Sequence, residues 1–157
     1  MNLNKWIFVL IILFILLSGC LNAGSGDTAG NISNEKIPEP KQITLKGLTF
    51  NTEIGPALLL AKTQGKPLFV YARSEYCGAC KQFESETFTN ETVIEKLNTN
   101  FILVSIDVDN QKTETRNFKI RATPTEIFLD SNGTEIKKLL GYRTNQTFLD
   151  EINKIVK

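Results

Sequence analysis

Two adjoining stretches decide the fold: Pro67-Leu68-Phe69-Val70-Tyr71-Ala72, and then Ser74-Glu75-Tyr76-Cys77-Gly78-Ala79-Cys80-Lys81. The first is an apolar run of strand length whose one polar group is the Tyr71 hydroxyl, which predicts a central strand buried on both faces. Beyond the second comes a helical pattern, with Phe83 one turn past Cys80. The Cys-x-x-Cys therefore falls where a strand hands over to a helix. Such a pair is a candidate redox-active dithiol or one half of a metal site.

Composition chooses between these. The 157 residues contain no histidine and only three cysteines. Ser-His-Asp and Cys-His catalysis are thereby excluded, and so is any His-ligated metal. A structural zinc needs four ligands, which two cysteines within one chain do not supply. A permanent structural disulfide is the plainer alternative, but closing so short a loop removes little chain entropy. Thiol–disulfide exchange is the expected chemistry, with no metal and no cofactor beyond the Cys77–Cys80 pair. A chain 41% hydrophobic and 22% charged has the makings of one domain with a core.

The third cysteine belongs to the N-terminus. Trp6 to Leu17 is an unbroken apolar run of 12 residues behind a single positive charge, Lys5. A spanning helix needs roughly 20, so the run fits the core of a signal peptide. It ends in Leu17-Ser18-Gly19-Cys20. These four residues resemble the lipobox of prokaryotic lipoproteins, which implies lipid on Cys20 and a folded part outside the cytoplasm, anchored to the cell membrane. Without the leader, 17 basic side chains face 17 acidic ones, so nothing in the charge favours nucleic acid. Leu21 to about Gln42 is rich in Asn, Gly, Ser and Thr, with Pro38 and Pro40, and reads as a flexible tether of roughly 25 Å reach. The expected organisation is a signal peptide over 1–19, a lipidated cysteine and linker over 20–42, and one domain over 43–157. Four Asn-x-Ser/Thr sequons, at Asn31, Asn90, Asn132 and Asn145, are read as chance in an Asn- and Thr-rich chain.

Along the domain the patterns predict an edge strand in 43–50, a helix over 56–64 closed by Gly65, and the strand 68–72. A helix follows from Cys77 to about Phe88, then another to Leu97 capped by Asn90 or Thr89. A second central strand spans 101–108, a short helix 113–118 and a third strand 125–129. Asp130-Ser131-Asn132-Gly133 then turns the chain into an antiparallel strand over 136–140. Thr144 or Asn145 opens a last helix in which Phe148, Ile152 and Ile155 share a face. The sum is an α/β fold: a central mixed sheet of four to five strands with helices on both faces.

That order, the Cys-x-x-Cys at a helix start and Ala122-Thr123-Pro124-Thr125 before the third strand resemble the thioredoxin superfamily. The likeness is greatest to the C-terminal, thioredoxin-like domain of DsbD. It rests on Lys66-Pro67, an acid and an aromatic before Cys77, Lys81, Phe83-Glu84 and Thr87-Phe88-Thr89, and runs from about Lys66 to Ile155. The resemblance implies a thiol–disulfide oxidoreductase with Cys77 as nucleophile and Cys80 as resolving thiol. It also implies a cis Pro124, with Tyr76, Thr123 and Pro124 meeting an extended substrate segment. One position departs from it. Where the family buries an aspartate six residues before the first cysteine, this chain has Tyr71, and Glu75 is the candidate proton relay instead. The likeness leans towards a reductase, possessing as partners disulfide-bearing exported proteins and a transmembrane thiol-electron carrier, acting as a monomer. An oxidase or isomerase, or a non-enzymatic adaptor, is the alternative.

Overall fold

The computed structural model describes residues 41–156, and the leader, Cys20 and most of the tether lie outside them. Its elements, in chain order, are β1 (Gln42–Leu45), β2 (Leu48–Asn51), α1 (Ile54–Gln64), β3 (Leu68–Arg73), α2 (Gly78–Glu86) and α3 (Glu91–Asn100). They continue with β4 (Ile102–Asp107), α4 (Lys112–Asn117), β5 (Thr125–Leu129), β6 (Glu135–Leu140) and α5 (Asn145–Ile155). The strands form one mixed sheet in the order β1-β2-β4-β3-β5-β6. β3 lies parallel to β4 and antiparallel to β5, so it sits at the centre as its apolar run predicts.

Six strands correct the expected four to five. The stretch read as a single edge strand is a hairpin, with Leu45 paired to Leu48 across the two-residue turn Lys46-Gly47. Lys46 takes a left-handed φ of 55°, a conformation uncommon for a residue with a Cβ, so sequence pattern alone gave no turn there. α1 also begins earlier than expected, at Ile54, which leaves Pro56 inside the first turn where its missing N–H is harmless.

Period-two alternation in the strands sorts the core into two layers. On one face Phe69 and Tyr71 of β3 pack with Phe50, Leu103 and Phe128, under Phe83 of α2, Val93 and Leu97 of α3, and Phe148 and Ile152 of α5. On the other, Leu68, Val70 and Ala72 meet Val104, Ile106 and Ile127 under Ala57 and Ala61 of α1. The first face is aromatic: Phe69 has the rings of Phe50, Phe88, Phe128 and Phe148 within 6.4 Å, centre to centre.

Helix ends follow the expected chemistry. Asn90 Oδ1 accepts from the Val93 N–H, and Thr144 Oγ1 from the Thr147 N–H. Gly65 closes α1 in the left-handed region, its N–H bonded to the Ala61 carbonyl. In the β5–β6 turn Gly133 has φ 90°, a conformation that favours glycine, and a Cβ there would stand 3.1 Å from the end of the Leu58 side chain of α1, which would have to shift slightly.

Candidate active site

β3 ends at Arg73, and four residues later α2 begins with Cys77 as its N-cap. Ser74 shapes the crossing. Its carbonyl accepts from the Cys77 N–H at 3.3 Å, its hydroxyl accepts from the Tyr76 N–H, and the same hydroxyl donates to Asp109 beyond β4 at 2.6 Å. Cys77 holds an extended backbone, and its Sγ accepts the Cys80 N–H at 3.0 Å. A sulfur thus occupies the place of a capping oxygen, facing the free N–H groups and positive end of the helix. Cys77 and Cys80 are joined as a disulfide, with Cα atoms 5.2 Å apart. Cys80 is fully buried, whereas Cys77 is half-buried.

The sheet brings the second loop to the same place. Because β5 runs antiparallel to β3, with Thr125 opposite Ala72, the residues before β5 lie beyond the same end of the sheet as the cysteines. The Thr123–Pro124 bond is cis. Thr125 Oγ1 donates to the Ala122 carbonyl, and the Pro124 carbonyl accepts from the Gly141 N–H at 2.8 Å, fixing the loop from both sides. Thr123 is half-buried and Pro124 buried. A cleft of about 270 Å³ opens alongside, between Val108, Asp109, Lys112, Arg121 and Thr123. Tyr76 stands out into solvent, 86% exposed, next to Cys77. Glu75 is exposed on the loop, on the solvent side of the pair whose inner member, Cys80, is buried.

Beneath the pair lies a polar cluster whose pairings sequence reading did not anticipate. The Tyr71 hydroxyl donates to Glu84 at 3.2 Å and approaches the Cys80 carbonyl at 3.4 Å. Glu84, one turn past Cys80, also accepts from Arg73 Nε at 2.7 Å. Burial raises the Tyr71 hydroxyl far above its ordinary range, and the negative charges of Glu84 and Glu126 add to the shift. Glu126 lies opposite Tyr71 in the β3–β5 register and is fully buried. Its Oε2 accepts from Arg143 at 2.9 Å, and Oε1 has no partner. The nearest sequence signal for Glu126 is a lone carboxylate inside the strand run Thr125-Glu126-Ile127-Phe128-Leu129, on the same face as Phe128. For Glu84 the signal is its position four residues after Cys80, on the same side of the helix.

Burial pushes Glu126 from its ordinary value of 4.5 up to about 8, against the pull of Arg143. Between those values the folded protein holds a proton that the unfolded chain has released. The raised value stabilises the fold fully below about pH 4.5, and that contribution is lost as pH rises through about 8. Urea midpoints of the oxidised protein are therefore expected to fall between pH 5 and pH 8.5, and Glu126→Gln should flatten the fall. Equal slopes in the two proteins would contradict the assignment.

The chain matches the family model described as "Thioredoxin-like domain" over residues 55–155. It is 30% identical over 129 residues to the thiol:disulfide interchange protein DsbD of Haemophilus ducreyi, covering 78% of this chain and 22% of that one. The protein of the same name from Vibrio cholerae is 32% identical over 120 residues, 73% of this chain and 20% of that one. The chain thus spans about a fifth of the length of these curated relatives. Among solved structures, a thioredoxin from Thermus thermophilus superimposes with a TM-score of 0.61 at 28% identity, over 66% of this chain and 84% of the other. The paired cysteines at a strand-to-helix junction give the chain the chemistry of a thiol–disulfide oxidoreductase, and it belongs to the thioredoxin-like domain family.

Proposed function

We propose that this thiol–disulfide oxidoreductase is held outside the cytoplasm by lipid on Cys20 and works as a reductase of disulfides in exported proteins. The observation that carries the chemistry is the Cys77 sulfur at the N-cap of α2, 3.0 Å from the Cys80 N–H. In the reduced state that N–H and the helix terminus favour a thiolate at Cys77. The thiolate attacks one sulfur of a substrate disulfide; a Cys77–substrate bond forms, and the other substrate sulfur leaves as thiolate and takes a proton. Cys80 then attacks Cys77, the Cys77–Cys80 bond forms, and the second substrate thiol is released. Two electrons have passed from the dithiol to the substrate.

The remaining residues are assigned by place. Thr123 and Pro124 offer a backbone edge beside the pair, where an extended substrate segment adds as a strand, and Tyr76 covers its exposed side. The leader, 1–19, directs export, the lipidated Cys20 and the tether over 20–42 keep the domain near a membrane partner, and a transmembrane thiol carrier returns the electrons. The likeness to DsbD, a thiol:disulfide interchange protein, supports the exchange chemistry. Among the described residues no helix is long and apolar enough to cross a membrane.

Equilibration of the pair with glutathione tests the direction. A reductase predicts a potential near thioredoxin's, about −270 mV; one near DsbA's, about −120 mV, would make the protein an oxidant. Cys80→Ser in cells should accumulate mixed disulfides on Cys77 whose partners identify the exported substrates.

A further inference from the structure

Resting on the reading of Cys77 and Cys80 as a dithiol that takes a substrate segment beside Thr123, we propose that Lys112 and Arg121 select acidic side chains next to the substrate's disulfide. The preferred partner is an exported protein whose exposed cysteines are flanked by aspartate or glutamate. The two cations line the cleft of about 270 Å³ beside Thr123, together with Asp109, Thr115 and Ile120. The cleft is tied to the redox loop, because Asp109 accepts the Ser74 hydroxyl at 2.6 Å, three residues before Cys77. An occupant of the cleft thus borders both Thr123 and the loop that carries Cys77, as a substrate segment must.

Charge decides what the cleft takes. Asp109 already has a donor in Ser74, and Asp107, just before it, spends its carboxylate on the Asp109 N–H and the Asn110 amide. Arg121 is exposed and, among the described residues, has no ion-pair or side-chain hydrogen-bond partner. Its fork of N–H donors is free to meet a planar carboxylate. Lys112 gives one ammonium proton to the Val108 carbonyl at 2.8 Å, which holds the ammonium by the cleft wall and leaves its other protons for a ligand. The backbone behind Arg121 is fixed. Lys119 turns the chain out of α4 with φ 51°, and the Ile120 N–H returns to the Thr115 carbonyl at 2.9 Å. Over Lys112–Arg121 four cations face a single acid, Glu114, in a chain whose net charge is only +1.

Lys112 and Arg121 set specificity and take no part in the exchange of sulfur bonds. Pairing across the cleft speeds encounter with acidic segments and slows it for basic ones, most strongly at low salt. Anionic lipid headgroups carry the same charge. A flat bilayer does not enter a concave cleft, however, and on this face it would cover Cys77, whereas a single side chain of an extended segment fits both.

The test reacts the reduced full-length protein, in nonionic detergent, with peptides whose one cysteine carries a 2-pyridyl disulfide. Cys77 bonds to the peptide sulfur, the peptide–pyridyl sulfur bond breaks, and pyridine-2-thione leaves and is read by its absorbance. One peptide flanks the cysteine with glutamate and the other with glutamine, and each rate is divided by that peptide's rate with dithiothreitol. The glutamate-to-glutamine ratio is expected to be about fivefold at low salt, and to fall below about twofold in about 0.5 M NaCl. In Arg121→Glu it should drop below one. Each ratio compares two peptides on one protein, so a change in Cys77 reactivity cancels. Lys112→Glu provides the same test should Arg121→Glu not fold. A wild-type ratio near one, or a ratio unmoved by the charge reversal, overturns the proposal. So does a ratio near one with a glutamine-peptide rate that Arg121→Glu alters only on phosphatidylglycerol vesicles, which would give the cations to the membrane. No release from either peptide by the wild type, while dithiothreitol releases it from both, overturns the dithiol reading itself.

Discussion

Cys77→Ser is expected to reduce disulfide-reductase turnover by at least ~10³-fold, the scale on which a lost nucleophile registers. The helix terminus that stabilises a thiolate cannot ionise a serine hydroxyl near neutral pH, and an alkoxide would form no exchangeable bond with sulfur. Insulin reduction followed by turbidity, with dithiothreitol as electron source, should fall to the rate of dithiothreitol alone. Cys80→Ser should behave differently: it still attacks once and then stalls. The difference follows from burial, since Cys77 is half-buried and Cys80 has no exposed surface. Turnover above a tenth of wild type in Cys77→Ser would remove that residue from the nucleophile's role.

Phe69→Ala is expected to remove about 3–5 kcal/mol of stability, the usual range for emptying a buried aromatic site. Four rings surround Phe69, from β2, the turn before α3, β5 and α5, with centroids from 5.2 to 6.4 Å away. Those neighbours are themselves fixed by one another, so they have little freedom to collapse into the space. Against a total of about 5–15 kcal/mol for a domain, the loss takes a large share. Equilibrium urea unfolding of the oxidised protein should show a much lower midpoint at unchanged slope, and Phe69→Leu should recover most of it. A loss under about 1 kcal/mol would mean that the aromatic layer is loosely packed.

What the sequence revealed, and what it hid, divides along physical lines. β3 was legible because a buried strand leaves a continuous apolar run, and β5, where Ile127-Phe128-Leu129 precedes a turn, is matched to the residue over 125–129. The junction at Cys77 was legible because a cysteine pair at a strand end has few uses once histidine is missing. The β1–β2 hairpin was not, since it turns on a lysine with positive φ rather than on a glycine or asparagine pair. Arg73, Glu126 and Arg143, and the partnership of Glu84 with Tyr71 and Arg73, escaped notice for a different reason. Their importance comes from pairings between β3 and α2, and between β5 and the loop after β6, across separations of 11 and 17 residues. No local pattern carries such a partnership. The missing acid at position 71 was visible, but the buried acid opposite it became apparent only through strand register.

The bond between Cys77 and Cys80 closes a loop of only four residues. Making it removes about 2 kcal/mol of chain entropy, small beside the aromatic layer that holds α2 down through Phe83. Charging and discharging the protein with electrons therefore does almost no mechanical work on the fold. The domain can serve as a two-electron capacitor whose plates stay fixed while its charge changes, ready for the next partner in either state without having to refold between them.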